Sequence, residues 1–360
     1  MAVRVIHLRR GIEILSTAAM VLVGTAPLPG AEFVEEFSEV VPFVAGGKVE
    51  ISTIGGSVVF TGTDALEVRV EARKTVQAGN EEEGKRALSA IGIDVERSAN
   101  TILIETEFPE DKKFFGRLFS GRGSEDVRVD YRILVPMKTD VHVDGTSTDV
   151  QGSAVDGMVS LDLTSGNSDL SDVGGNVLID GTSGDVKVLK VKGDLLIDNT
   201  SGQVTATEVG GDVEIDKTSG VVALKQVGSD FFLDGTSCDV KAESVGGDAE
   251  FDLTSGDVIV TGLGGGLSHE GTSGDMHIEF SGNLDDPVAI ATISGDVELV
   301  LPGDSDFTLD LETLSGGINV EISRMEISEV SSNNLKAVVG GGGVPIDVET
   351  TSGSIRITGK

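Results

Sequence analysis

Tryptophan is absent from this 360-residue chain, and Tyr131 is its only tyrosine. Sugar-binding grooves usually stack their ligands on aromatic faces, so this shortage argues against a glycan-binding cleft. Cysteine is nearly missing as well. Cys238 stands alone, which excludes an intrachain disulfide and a cysteine-built zinc cluster. Basic residues are scarce: 27 Lys and Arg stand against 60 Asp and Glu, for a net charge of −33. That balance opposes binding to nucleic acid or anionic lipid, and it favours cations or a basic partner. Glycine is plentiful, at 49 residues, but it does not recur every third position, so collagen is excluded.

Long apolar runs are also missing, apart from one near the start. Arg4, Arg9 and Arg10 precede an apolar stretch over residues 12–23, and small residues follow. This is the layout of a secretory signal, expected to cover residues 1–31, with cleavage after Ala26 or Ala31. Glu13 interrupts the stretch, which is short for a membrane-spanning helix. An uncleaved anchor is the alternative. No Cys lies near the cleavage site, which argues against a lipoprotein. The expected location is therefore secreted, periplasmic or at the cell envelope.

What the chain does have is a period. Thr-Ser-Gly, or a close variant, starts at Thr146, Thr164, Thr182, Thr200, Thr218, Thr236, Thr254 and Thr272, always 18 residues apart. A fixed period of this kind marks a solenoid, in which each unit is one coil stacked on the last. Counting each Thr as zero, apolar residues recur at +4, +6, +9, +13 and +15. In one unit these are Val186, Val188, Val191, Leu195 and Ile197. Alternation at period two turns these residues inward and their neighbours outward. The unit splits into two halves of nine, which does not fit the hexapeptide of a left-handed β-helix. Parallel crossovers are generally right-handed. The expected fold is all-β: a right-handed parallel β-helix or solenoid, 18 residues per coil as two nine-residue halves, with a small α/β N-terminal cap. Superposing the halves aligns each Thr with a Val such as Val191, so the Thr column is expected to point inward.

Acidic columns follow the same period. At +16 the residues are Asp162, Asp180, Asp198, Asp216, Asp234, Asp252 and Glu270, with Asp144 one period earlier. A looser column at +3 includes Asp149, Asn167, Asp185, Asp239, Asp257 and Asp275. A third at +12 holds Asp194, Asp212, Asp230 and Asp248. Carboxylates about 5 Å apart repel by roughly 1 kcal/mol per pair in water, so the +16 column must be solvated or neutralised. The expected role of each +16 Asp is an Asx turn that accepts a backbone N–H at the next corner. Calcium or another hard cation is the alternative, with Asp162, Asp180, Asp198, Asp216, Asp234 and Asp252 as candidate metal ligands. No other cofactor is implied.

The flanks are less regular. Residues 49–58 resemble an earlier coil, residues 81–91 a short helix, and residues 91–105 a hairpin. The divisions expected are the signal, first coils with an inserted cap over 32–140, regular solenoid over 141–300, and looser coils with a C-terminal cap over 301–360. Residues 322–334 are the least repetitive there and read as a loop or part of that cap. The segment 112–122 is both basic and aromatic. Lys112, Lys113, Phe114, Phe115, Arg117 and Phe119 are either a cap over the first coil or a contact for a protein partner or membrane. Among the histidines, His269 lies near Ser273 and so suggests a catalytic pair, but His269 falls in an inward column and Ser273 is a repeat residue.

The serial T-S-G-D-V and V-G-G-D-V motifs, the strand ending at Pro136, the L-P-G-D-S-D-F-T-L run from Leu301, and the closing V-P-I-D-V-E-T-T-S-G-S-I-R-I together carry a resemblance. The chain resembles the bacterial putative-adhesin family of β-strand-repeat proteins, a domain family of unknown function, over residues 43–360. The resemblance implies an extracytoplasmic β-helical module and supplies no catalytic residues. A non-enzymatic surface or envelope binding or scaffold module is the leading expectation. An accessory of an envelope-stress or signalling system that binds a protein partner is the alternative, and a β-helix carbohydrate-active enzyme is a minor one.

Overall fold

The computed structural model describes residues 31–108 and 127–360. The expected signal and the segment 112–122 lie outside the described residues, apart from Ala31. The fold is all-β, with strands joined through one continuous 27-stranded sheet and one helix, Glu81–Ala90, among the described residues.

The 18-residue period appears directly as strand register. In the second half of the unit, Val177–Ser183 pairs in parallel with Val159–Ser165 on one side and Leu195–Ser201 on the other. In the first half, Val186–Val191 pairs with Ser168–Val173 and Gln203–Val209. Each strand therefore bonds to its own equivalent one coil away. Two stacks of parallel strands result, and their inward residues form one core. All five inward columns are buried as the alternation requires: Val186, Val188, Val191, Leu195 and Ile197 are each at most 3% exposed. Phe231 and Phe251 enlarge the core in two successive coils and meet edge to face, with ring centres 5.2 Å apart.

The Thr column faces solvent rather than the core. Thr146, Thr164, Thr182, Thr200, Thr218, Thr236, Thr254 and Thr272 are all exposed. The reason is that the two halves are not equivalent. Alternation runs unbroken through Val177–Ser183, so Ile179 faces in, Asp180 out, Gly181 in and Thr182 out. At the other corner, the residue at +8 takes a left-handed backbone. Ala154, Asp172, Lys190, Glu208, Gln226 and Ser244 have φ from 53° to 61°. That step shifts the phase, which is why +9 turns inward although +8 follows +6 by two. The column truly buried at the Thr corner is +17.

A sharp approach of one coil to the next fixes the Thr corner. Gly184 has φ +134°, and a Cβ there would lie 1.9 Å from the carbonyl oxygen of Gly166. At Gly184 only glycine satisfies both conditions, whereas Thr148 and Cys238 hold the same place in two other coils without a positive φ.

The N-terminal region departs from simple stacking. Lys48–Thr63 is an early coil in parallel register with Asp140–Val155. Glu67–Ala78 pairs antiparallel with both Ala31–Pro42 and Val127–Pro136. The helix starts at Asn80, whose Oδ1 accepts the N–H of Glu83 at 2.9 Å. A hairpin of Gly92–Ser98 and Thr101–Glu107 follows it. At the other end, residues 322–334 are not a loop. They hold Met325–Val330, which pairs antiparallel with Asn334–Val339.

Gly184→Ala should cost at least about 3 kcal/mol, through both the left-handed backbone and the carbonyl contact. Thr200→Val, on the exposed column, should stay within about 0.5 kcal/mol of the parent. Urea denaturation of the two variants checks the contrast.

Candidate functional site

The outer face of the second-half stack carries the most regular chemistry in the molecule. Strand register places Asp144, Asp162, Asp180, Asp198, Asp216, Asp234, Asp252 and Glu270 in one unbroken row. All eight are exposed. Their spacing along the row is the strand spacing, about 4.8 Å. Beside them runs the exposed Thr row, two residues further along each strand. No hydrogen bond or ion pair involves the side chains of the eight acids among the described residues. The row is thus a solvated stripe of like charge. Partial burial, then the carboxylates of Asp198 and Asp234 on either side, push the Asp216 carboxyl above its ordinary range.

The expected Asx role of this column falls to the other two. At +3, Oδ1 of Asp149 accepts the backbone N–H of Asn167 at 2.8 Å, and Asn167 Oδ1 accepts that of Asp185 at 3.0 Å. The chain of contacts continues from Asp185 to Gln203, and from Asp239 through Asp257 to Asp275. At +12, Asn176 accepts from Asp194, which accepts from Asp212, then Asp230, Asp248 and Gly266. Each side chain accepts from the next coil, at sequence separation 18, not from its own turn. These columns sit where the backbone leaves the strands, so a side-chain oxygen replaces the missing carbonyl acceptor. The +16 column lies within the strands, where backbone partners already exist. The Asp212 carboxyl is held below its usual range, first by the Ser229 hydroxyl and then by the Asp230 N–H.

Asp162, Asp180, Asp198, Asp216, Asp234 and Asp252 are therefore brought together in a line. No group of three or more His, Cys, Asp or Glu among the described residues is arranged to hold a metal ion. Lys112, Lys113, Phe114, Phe115, Arg117 and Phe119 lie outside the described residues. The His269–Ser273 pair does not form. His269 is buried in the inward column between Phe251 and Ile290, while Ser273 is exposed at the corner. Burial pushes the His269 imidazole below its ordinary value.

Cys238 takes the glycine position of its turn, in register with Gly220. Its side chain points inward and donates to the carbonyl oxygen of Lys217 at 3.3 Å. There it fills the space left by Gly235, whose Cβ would lie 3.1 Å from Cys238 Sγ and 2.9 Å from Leu253 Cδ2. Thr148 does the same beside Gly145 and Leu163, five coils earlier. Burial pushes the Cys238 thiol up, which keeps it protonated.

A groove absent from the sequence expectations runs along the left-handed corner. Its volume is about 650 Å³, and Asp172, Lys190, Lys192, Glu208 and Gln226 line it. Lys190 lies 4.0 Å from Asp172 and Lys192 4.0 Å from Asp156. Exposed pairs at that distance contribute little. The signal for this groove is the polar residue before Val173, Val191, Val209 and Val227.

The fold defines a repeat protein of the parallel β-solenoid class. Residues 207–358 match the model of the Toastrack family, DUF4097. That match supports the identification drawn from the sequence motifs, a putative-adhesin family of unknown function. Three solved structures are similar at low identity. A putative cell adhesion protein from Clostridium sporogenes is 11% identical, covering 92% of this chain and 100% of its own, with TM-score 0.25. A putative adhesin from Bacteroides fragilis is 13% identical, covering 89% and 96%, with TM-score 0.27. A putative lipid binding protein from Parabacteroides distasonis is 13% identical, covering 89% and 96%, with TM-score 0.30. No curated protein matches the chain. No described helix is long and apolar enough to cross a membrane.

Asp216→Asn should stabilise the fold by a few tenths to about 1 kcal/mol at neutral pH and low salt. A carboxyl with a raised folded pKa stabilises below the ordinary Asp range and loses that contribution as pH rises through the raised value. The gain from Asn should therefore shrink on acidification toward pH ~3 and in high salt. Melting curves across pH and ionic strength check the sign.

Proposed function

We propose that the chain is a non-enzymatic, extracytoplasmic, right-handed β-solenoid that serves as a surface or envelope binding and scaffold module. The observation that carries this reading is the exposed row from Asp144 to Glu270, which no protein group neutralises. Such a row concentrates negative potential along a rigid face and attracts a basic partner. Rigidity adds to the effect, because the carboxylates are held in register before binding. A hard cation such as calcium is the alternative ligand for the row. In this reading residues 1–31 direct export, residues 32–140 and 301–360 cap the coils of 141–300, and the basic, aromatic segment 112–122 is a second contact. The groups that suggest catalysis are accounted for structurally: His269 is a core side chain and the acids are periodic.

The test is binding to isolated cell envelope. The chain should sediment with envelope fractions at low salt and be released as salt rises. Replacing Asp162, Asp180, Asp198, Asp216, Asp234 and Asp252 together with Asn should weaken retention at least tenfold. Equal retention of parent and variant would remove the acidic row from the account.

A further inference from the structure

The buried +17 column holds Gly or Leu in most coils, but two successive coils place polar side chains there. Asn199 is 3% exposed and Lys217 is 1% exposed. The two are direct partners on adjacent parallel strands, so their Cα atoms lie one strand spacing apart, about 5 Å. Neither is satisfied. Lys217 Nζ and Asn199 Oδ1 have no hydrogen-bond partner. Asn199 Nδ2 reaches only the carbonyl oxygen of Gly184, at 3.4 Å.

No ion pair involves the lysine among the described residues. The ionisable groups that face it are the Cys238 thiol from the following coil and Asp185 at the surface. Removal from water pushes the Lys217 amine below its ordinary value. Once it gives up its proton, the amine has a free lone pair and is a nucleophile. Beside it lies a primary amide, and the surrounding core excludes the water that would otherwise compete.

We propose that Lys217 and Asn199 condense into an intramolecular isopeptide bond. Lys217 Nζ attacks Asn199 Cγ, the Nζ–Cγ bond forms, and the Cγ–Nδ2 bond breaks. One amine proton moves to Nδ2, which leaves as ammonia. The step needs no oxidant, reductant or external reagent. It converts an unpaired buried amine and a poorly bonded amide into one neutral secondary amide. It also ties the coil from Thr182 to the coil from Thr200 covalently. Register supplies the proximity, because parallel stacking holds the two residues at the same corner of successive coils.

Peptide mapping of the purified full chain, fully denatured before trypsin, tests this. An unlinked chain is cut after Lys217 and yields residues 193–217 and 218–225. The linked chain should instead yield residues 193–225, uncut at Lys217 and lighter by one molecule of ammonia. In Asn199→Ala, cleavage after Lys217 should return. Recovery of residues 193–217 at their sequence mass as the only form would overturn the proposal. So would loss of ammonia with cleavage at Lys217 intact, which marks a succinimide at Asn199.

Discussion

A corner N–H that a strand ladder leaves unpaired needs another acceptor, and in the regular coils that acceptor comes from the neighbouring coil. Along the strands each residue sits beside the one 18 away, and the ladder carbonyls lie 17 or 19 residues away. At the corners the acceptor is often a side-chain oxygen of Asp or Asn, 18 residues away, as from Asn176 through Asp194 to Asp212 and Asp230. This requirement locks the regular coils, through Ser273, to one length. A coil with an extra residue would misplace a core side chain and a corner acceptor together. Where the chain does insert residues, between Phe280 and Val288, the addition is confined to a segment between strands and the parallel register resumes at Val288.

The period made the core legible in advance. Alternation located the inward residues at +4, +6, +9, +13 and +15, and side-chain burial follows it through Val186, Val188, Val191, Leu195 and Ile197. The Thr column was misplaced because the two halves of the unit look alike in sequence yet turn by different means. One corner turns at a left-handed glycine such as Gly184. The other turns at residues such as Lys190, whose side chains give no hint of a positive φ. Strict alternation from Ile197 would have placed Asn199 inside and Thr200 outside. The mixed composition at +17, with Gly181, Asn199, Lys217 and Leu253, hid that column from a search for hydrophobic repeats.

The same asymmetry separates structural acids from free ones. Asp194 and Asp212 hold the corners, whereas the carboxylates of Asp198 and Asp216 make no bond among the described residues and cost some stability through mutual repulsion. The sequence shows three acidic columns of similar regularity. Only the backbone geometry distinguishes the one whose carboxylates are left without a bond. A polar residue in the core is the opposite case, as with Lys217, where isolation from water changes the chemistry of the group.

Removing coils tests the lockstep of 18 most directly. Deleting residues 164–181 should leave a soluble β protein that melts in one cooperative transition, because every remaining corner still meets its partner. Deleting only residues 164–172 should abolish cooperative melting, since it joins two corners that turn by different means. If both deletions melt alike by circular dichroism, the nine-residue half is the true unit, and the account of two unlike corners fails.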